Sequence, residues 1–187
     1  MRLDRPLRDY VVKVLFSEEQ IRHRVAGLGA QISADYAGKD LVLVGILRGA
    51  VLFMGDLSRA VDIPHSWDLV EASSYGGGTT SRGHVQIRRD VSMDIADRHV
   101  IVIEDIYDTG LTLSTVCDLL KVHKPASVEI CALLYKDLPT RKVNLPVKYV
   151  GFQCPNEFVV GYGLDYNELF RNLPLVGVLD PALYRGH

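Results

Sequence analysis

The chain has 187 residues, 48% hydrophobic and 24% charged, enough apolar material for one enzyme-sized domain with a substantial core. A formal net charge of −2 and an isoelectric point near 6.3 leave no basic footprint for nucleic acid. Cys117, Cys131 and Cys154 stand far apart among apolar residues, which fits neither a disulfide framework nor a cysteine metal site and predicts buried, reduced thiols.

The opening "MRLDRPLRDY" is charged throughout, and no apolar run approaches the roughly 18 residues of a membrane span. The expectation is a cytoplasmic protein without membrane or nucleic-acid partners. Ser17 and Gln20 form a capping box, after which Ile21, Val25, Leu28 and Ile32 recur at helical spacing until Gly38, predicting an amphipathic helix of about five turns. "LVLVGIL", Leu41 to Leu47, reads as a strand buried on both faces. The helix after it places Val51, Met54, Leu57 and Val61 on one side. The alternation continues with "SWDLVEASS", with Val100 to Ile103 leading into a helix through Val122, and with "SVEICALLY", Ser127 to Tyr135. Strands alternating with helices predict a parallel sheet with crossover helices. "VKYVGF" and "LVGVLD" add two short strands to a sheet edge or a small subdomain. "SSYGGGTTSRGH", Ser73 to His84, has three successive glycines and no periodicity, and reads as a mobile loop. The six histidines show no ligand spacing and are assigned to surface or packing.

"VIVIEDIYDTGLTLS", Val100 to Ser114, drives an apolar strand directly into Glu104 and Asp105, and Asp108 follows before Thr109-Gly110. In open parallel sheets ligands bind beyond the carboxyl ends of the strands. "DTGLT", Asp108 to Thr112, puts a glycine and two hydroxyls at a helix start, where backbone N–H groups and the positive helix end receive a phosphate. The carboxylates are out of place beside a phosphate unless they face ribose hydroxyls or a hydrated cation. A ribose phosphate answers both halves; the plainer alternative is a helix capped by Asp108 or Thr109 with solvated acids.

This stretch closely resembles the phosphoribosyl pyrophosphate motif of the type I phosphoribosyltransferases, a hydrophobic run, two acids, two variable residues, then Asp/Ala-Thr-Gly-x-Thr. The Glu-Asp pair with Asp108 is similar to the hypoxanthine-guanine branch. "LRG", Leu47 to Gly49, resembles that branch's pyrophosphate loop, "SSYGGGTTSRG" its flexible catalytic lid with Ser74 and Tyr75, and "LLYKD" its base-recognition lysine. "FVVGYGLDYNELFRNL", Phe158 to Leu173, resembles its purine- and metal-binding segment. Leu111 stands where many relatives have lysine, so the phosphate loop would bind through backbone and hydroxyls of Thr109, Gly110, Leu111 and Thr112.

The resemblance implies an α/β fold, a Rossmann-like parallel sheet flanked by helices with a small C-terminal hood. It also implies one domain over residues 1–187, with a core at about 35–150 and a hood built from the N-terminal segment and about 151–187. The implied activity is purine salvage, the transfer of 5-phosphoribose from phosphoribosyl pyrophosphate to hypoxanthine or guanine, giving IMP or GMP and pyrophosphate. Asp108 would be the general acid/base at the purine, Lys136 the donor to its exocyclic oxygen, Phe158 the stacking face and the Val159 backbone the reader of the base edge. Glu104 and Asp105 would hold the ribose, and with Asp165 the Mg2+ cofactor. Arg48 and Arg171, the latter on a short helix begun by "YNEL", would contact the pyrophosphate. A cis peptide between Leu47 and Arg48 and a homo-oligomer, dimer or tetramer, are further implications. A nucleotide-sensing regulator of the same fold is the rival class; it would lose the acid at position 108 and gain a basic surface or an extra domain. The order of hypoxanthine, guanine and xanthine stays open.

Overall fold

The computed structural model describes residues 4–74, 85–139 and 141–184. Its centre is a six-stranded sheet of β2 (Leu41–Leu47), β3 (His65–Ser74), β4 (Val85–Arg89), β5 (His99–Tyr107), β6 (Ser127–Lys136) and β7 (Tyr149–Cys154), in the order β4-β3-β2-β5-β6-β7. Every neighbouring pair is parallel except β3 with β4. The central strands need no polar face because helices cover both sides. Along β2, Leu41 and Leu43 point into the layer of α1 (Glu18–Asp35) and α2 (Val51–Ala60), while Val42, Val44 and Ile46 point into that of α3 (Leu111–Val122). β5 divides the same way, Ile101 and Ile103 against Val100 and Val102. This two-sided burial is what a short, uninterrupted apolar run encodes.

α1 begins as its sequence requires. The Ser17 hydroxyl accepts from the Gln20 N–H at 3.3 Å, and the Gln20 side chain accepts from the Ser17 N–H at 2.8 Å. Ile21, Val25, Leu28 and Ile32 are all buried. α2 differs from its predicted face: Met54, Leu57 and Val61 are buried, but Val51 is 43% exposed and Phe53 takes the inward position. The helix starts at Val51 itself, so that residue lies on its first turn beside the opening of the sheet, where no layer covers it.

A second, three-stranded antiparallel sheet joins β1 (Val11–Phe16), β9 (Val176–Leu179) and β8 (Val159–Val160) in the order β1-β9-β8. It encloses its own core of Tyr10, Val160, Phe170, Leu173, Leu175 and Leu179. Of the two late strands, β7 extends the main sheet and β9 belongs to this hood. Cys117, Cys131 and Cys154 are buried free thiols, and burial raises the pKa of each. No described helix is long and apolar enough to cross a membrane.

Candidate functional site

The carboxyl ends of β2 and β5 open onto a cavity of about 440 Å³ lined by Leu47, Arg48, Gly49, Glu104, Asp105, Thr112, Asp165, Glu168 and Arg171. β3 and β4 close one side with Glu71, Ser73 and Arg88. Chain segments more than a hundred residues apart thus meet where an open parallel sheet places its ligands.

β2 leaves the sheet through Leu47, Arg48 and Gly49, and the Leu47–Arg48 peptide bond is cis. Gly49 packs against the acid of the neighbouring strand: a Cβ there would lie 1.7 Å from Asp105 Oδ2. Only a glycine permits that approach. β5 continues through both acids to Tyr107, so Glu104 and Asp105 are half-buried members of the strand and not the solvated acids of the plainer alternative. Burial pushes both carboxyls above the ordinary carboxylate range, and the neighbouring Asp105 adds to the effect on Glu104. For Asp105 the Ile106 N–H, donating at 2.8 Å, and the nearby Arg171 work in the opposite direction. Two acids held in this way favour a ligand that donates hydrogen bonds or brings positive charge.

Asp108, Thr109 and Gly110 then turn the chain into α3. The cap position is Gly110 at φ 81° and makes no side-chain cap bond, while Thr109 Oγ1, one residue earlier, accepts the Leu111 N–H at 3.5 Å. In the first turn of α3 the N–H groups of Thr112 and Leu113 keep their capacity for an outside acceptor. The turn is braced from behind by the segment after β6. The Val143 N–H donates to the Thr109 carbonyl at 3.1 Å, and the Tyr107 hydroxyl donates to the Val143 carbonyl at 2.8 Å. Arg141 donates to the carbonyls of Tyr107, Asp108 and Lys136, with its guanidinium carbon 3.9 Å from the Tyr107 ring centroid. One side chain thereby joins the ends of β5 and β6.

At the end of β6, Lys136 Nζ stands 3.9 Å from Asp108 Oδ2. Phe158, at the entry to β8, stacks on Tyr184 with ring centroids 4.9 Å apart and meets the edge of Tyr166 at 5.7 Å. Val159 follows in β8 and is buried. "YNEL" does not start a helix. Asn167 and Glu168 adopt positive φ, 51° and 63°, and Tyr166 bridges Leu169 in a tight turn. Arg171 leaves that turn, donating to the Gly163 carbonyl at 2.7 Å and contacting Asp165 Oδ1 at 2.8 Å and Glu168 Oε2 at 3.2 Å. Ser74 is the last residue of β3, whereas Tyr75 and the remainder of the expected lid to His84 lie outside the described residues.

The structure brings Leu47, Arg48, Gly49, Glu104, Asp105, Thr112, Asp165 and Arg171 to one cavity, and Asp108, Lys136 and Arg141 to a second cluster next to it. Glu168, Arg141, Glu71 and Arg88 were not picked out by the sequence. Nothing in "LPTRKV" separates a structural arginine from a solvated one.

A phosphoribosyl transferase domain model matches residues 12–167. A Staphylococcus aureus hypoxanthine-guanine phosphoribosyltransferase is 50% identical over 173 residues, covering 92% of this chain and 96% of the relative. The chain belongs to the hypoxanthine-guanine phosphoribosyltransferase family. Solved structures of the family agree. A hypoxanthine phosphoribosyltransferase from Staphylococcus aureus superposes with a TM-score of 0.90 at 47% identity, covering 98% of this chain and 99% of the other. A Bacillus anthracis hypoxanthine-guanine phosphoribosyltransferase gives 0.83 at 40% identity over 90% and 97% of the two chains.

Proposed function

We propose that this chain transfers 5-phosphoribose from phosphoribosyl pyrophosphate to hypoxanthine or guanine, giving IMP or GMP and pyrophosphate in purine salvage. The observation that carries the reading is the meeting, in one cavity, of the acids of β5, the glycine-started first turn of α3 and the arginines Arg48 and Arg171. These match the three parts of the donor in order: sugar hydroxyls, 5-phosphate and diphosphate.

In this reading Glu104 and Asp105 accept hydrogen bonds from the ribose hydroxyls, and Thr109 to Thr112 hold the 5-phosphate through backbone N–H groups and hydroxyls. Arg48 and Arg171 hold the diphosphate and stabilise its charge as it leaves. Lys136 donates to the 6-oxo group of the purine, a contact that the amino group of adenine cannot accept. Phe158 stacks on the base and the Val159 backbone meets its edge. Asp108, beside Lys136, takes the proton that the attacking ring nitrogen gives up as it bonds to the anomeric carbon, a role that typically contributes about 10²–10⁴-fold.

Glu104, Asp105 and Asp165 offer only hard carboxylate oxygens, the donor type that suits Mg2+. Among the described residues no three acids, histidines or cysteines converge to hold an ion by themselves, so an ion here would take part of its coordination from substrate phosphates and water. When bound, Mg2+ supplies charge neutralisation at the departing diphosphate. Asp108 also opposes the regulatory reading, in which that acid has no task.

Initial rates with hypoxanthine, guanine, xanthine, adenine and orotate, each with phosphoribosyl pyrophosphate and with or without Mg2+, test the proposal. Turnover of 6-oxopurines with release of pyrophosphate is expected. Turnover confined to adenine or orotate, or none with any base, would overturn it.

A further inference from the structure

Glu168 lies in the hood, yet its carboxylate closes on an arginine from the other side of the cavity. Its Oε2 accepts from Arg48 Nη1 at 2.9 Å, across 120 residues of sequence, and from Arg171 Nη2 at 3.2 Å. The backbone is bent for this contact. Asn167 tolerates a left-handed conformation, but Glu168, at φ 63°, belongs to the residue types that rarely adopt it. Such a residue persists where its surroundings enforce it. Here Asp165 Oδ2 accepts the Glu168 N–H at 2.9 Å, and the Tyr166–Leu169 bridge closes the turn. The side chains of Glu168 and Arg48 are 63% and 59% exposed, so a dissolved anion can reach them.

A carboxylate oxygen between two guanidinium groups sits where a phosphate oxygen would sit, because both anions offer the same acceptors to the same forked donors. We propose that Glu168 is an internal stand-in for the diphosphate, holding Arg48 and Arg171 together in the free protein and yielding them when the substrate's diphosphate arrives. The proposal rests on reading this cavity as the diphosphate site. As a carboxylate between two guanidinium groups, Glu168 opposes the incoming anion with a full negative charge at neutral pH. Arg171 does not depend on it for position, since Asp165 and the Gly163 carbonyl also hold that guanidinium. Glu168 is thus a competitor that the diphosphate displaces.

The test is calorimetric titration of the full chain with inorganic pyrophosphate in Mg2+ buffer. Glu168→Gln removes the charge while keeping the side-chain length, and is expected to tighten pyrophosphate binding by about threefold to tenfold, the scale of two exposed ion pairs relieved. Glu168→Asp keeps the charge and is expected to stay within about twofold of wild type. Urea melts of both variants beside wild type separate this role from general damage to the fold. Glu168→Ala repeats the experiment without a polar head group and should also bind pyrophosphate more tightly. Unchanged or weaker binding in Glu168→Gln and Glu168→Ala would overturn the proposal, making Glu168 a prop for the arginines rather than their competitor. A wild-type chain that bound neither pyrophosphate nor phosphoribosyl pyrophosphate would instead overturn the reading of the cavity.

Discussion

Lys136 closes β6 and Asp108 follows β5, and the two side chains meet at 3.9 Å, with the ammonium 12% and the carboxylate 44% exposed. A largely covered donor at one strand end therefore faces a more open acid at the next, the arrangement that the proposed recognition of a base at one edge and proton removal at another would use. Lys136→Ala is expected to lower kcat/KM for hypoxanthine by about tenfold to a hundredfold, the equivalent of the roughly 1.5–3 kcal/mol lost with a charged hydrogen bond. Affinity for phosphoribosyl pyrophosphate should change little. If the variant kept wild-type discrimination against adenine in initial-rate assays, Lys136 would not be the specificity residue.

Arg141 touches no part of the proposed substrate, but it donates to carbonyls on both sides of that pair. Its removal leaves the carbonyls of Tyr107, Asp108 and Lys136 to find new donors just beyond the last ladder pair, Tyr107 with Tyr135. Arg141→Met should lower stability by about 1–3 kcal/mol and reduce kcat more than the melting temperature alone would suggest, because Asp108 loses its fixed position. Lysine cannot reproduce the planar fork, so Arg141→Lys should rescue little. Denaturant melts beside steady-state rates provide the check; a lysine variant with full activity would show that charge alone is needed.

Much of this architecture is legible from the chain itself. The capping box at Ser17, the continuous apolar runs of β2 and β5, and the glycine-hydroxyl turn into α3 are local signals that can be read without reference to distant residues. What could not be read depends on contacts between remote segments. The pairing of β1 with β9 joins Val11 to Leu179, and no local pattern carries that register. "YNEL" reads as a helix start on propensity, but the Asp165 carboxylate and two left-handed residues turn it the other way. Glu168 and Arg141 have ordinary surface compositions around them; only the folded arrangement shows that one lies between two arginines and the other between two strands.

Gly49 stands against the Asp105 carboxylate with no room for a side chain. In Gly49→Ala the new methyl would fall 1.7 Å from Asp105 Oδ2 and 2.5 Å from its Cγ, so either the carboxylate swings away or the Leu47–Gly49 loop retreats. Displacing reacting groups by an ångström costs about a hundredfold in rate, and kcat/KM for phosphoribosyl pyrophosphate should fall by that order. The clash involves one side chain, which gives a direct control. In an Asp105→Ala background the same Gly49→Ala change should cost little further, a strong non-additivity in the double-mutant cycle. Additive losses would place the damage elsewhere in the loop.

Asp68 offers a pH test that does not involve the active site. Its side chain is 5% exposed in the middle of β3. Oδ2 accepts from the Ser92 N–H at 2.6 Å, the Ser92 hydroxyl at 3.0 Å and the Met93 N–H at 3.2 Å, while Oδ1 accepts from the Leu69 N–H at 2.7 Å. Burial alone would raise its pKa, but these donors outweigh burial and hold it below the ordinary aspartate value. A depressed folded pKa contributes stability that is fully present above the unfolded pKa of about 3.9 and lost as pH falls through the folded value. Asp68→Asn places an amide N–H₂ group among donors and should destabilise the fold by about 1–3 kcal/mol at pH 7. Because the wild-type advantage belongs to the ionised carboxylate, the gap between the two proteins should narrow in urea melts as pH drops below about 4. A gap of constant size from pH 7 to pH 3 would mean that the carboxylate holds Ser92 and Met93 by shape and not by charge.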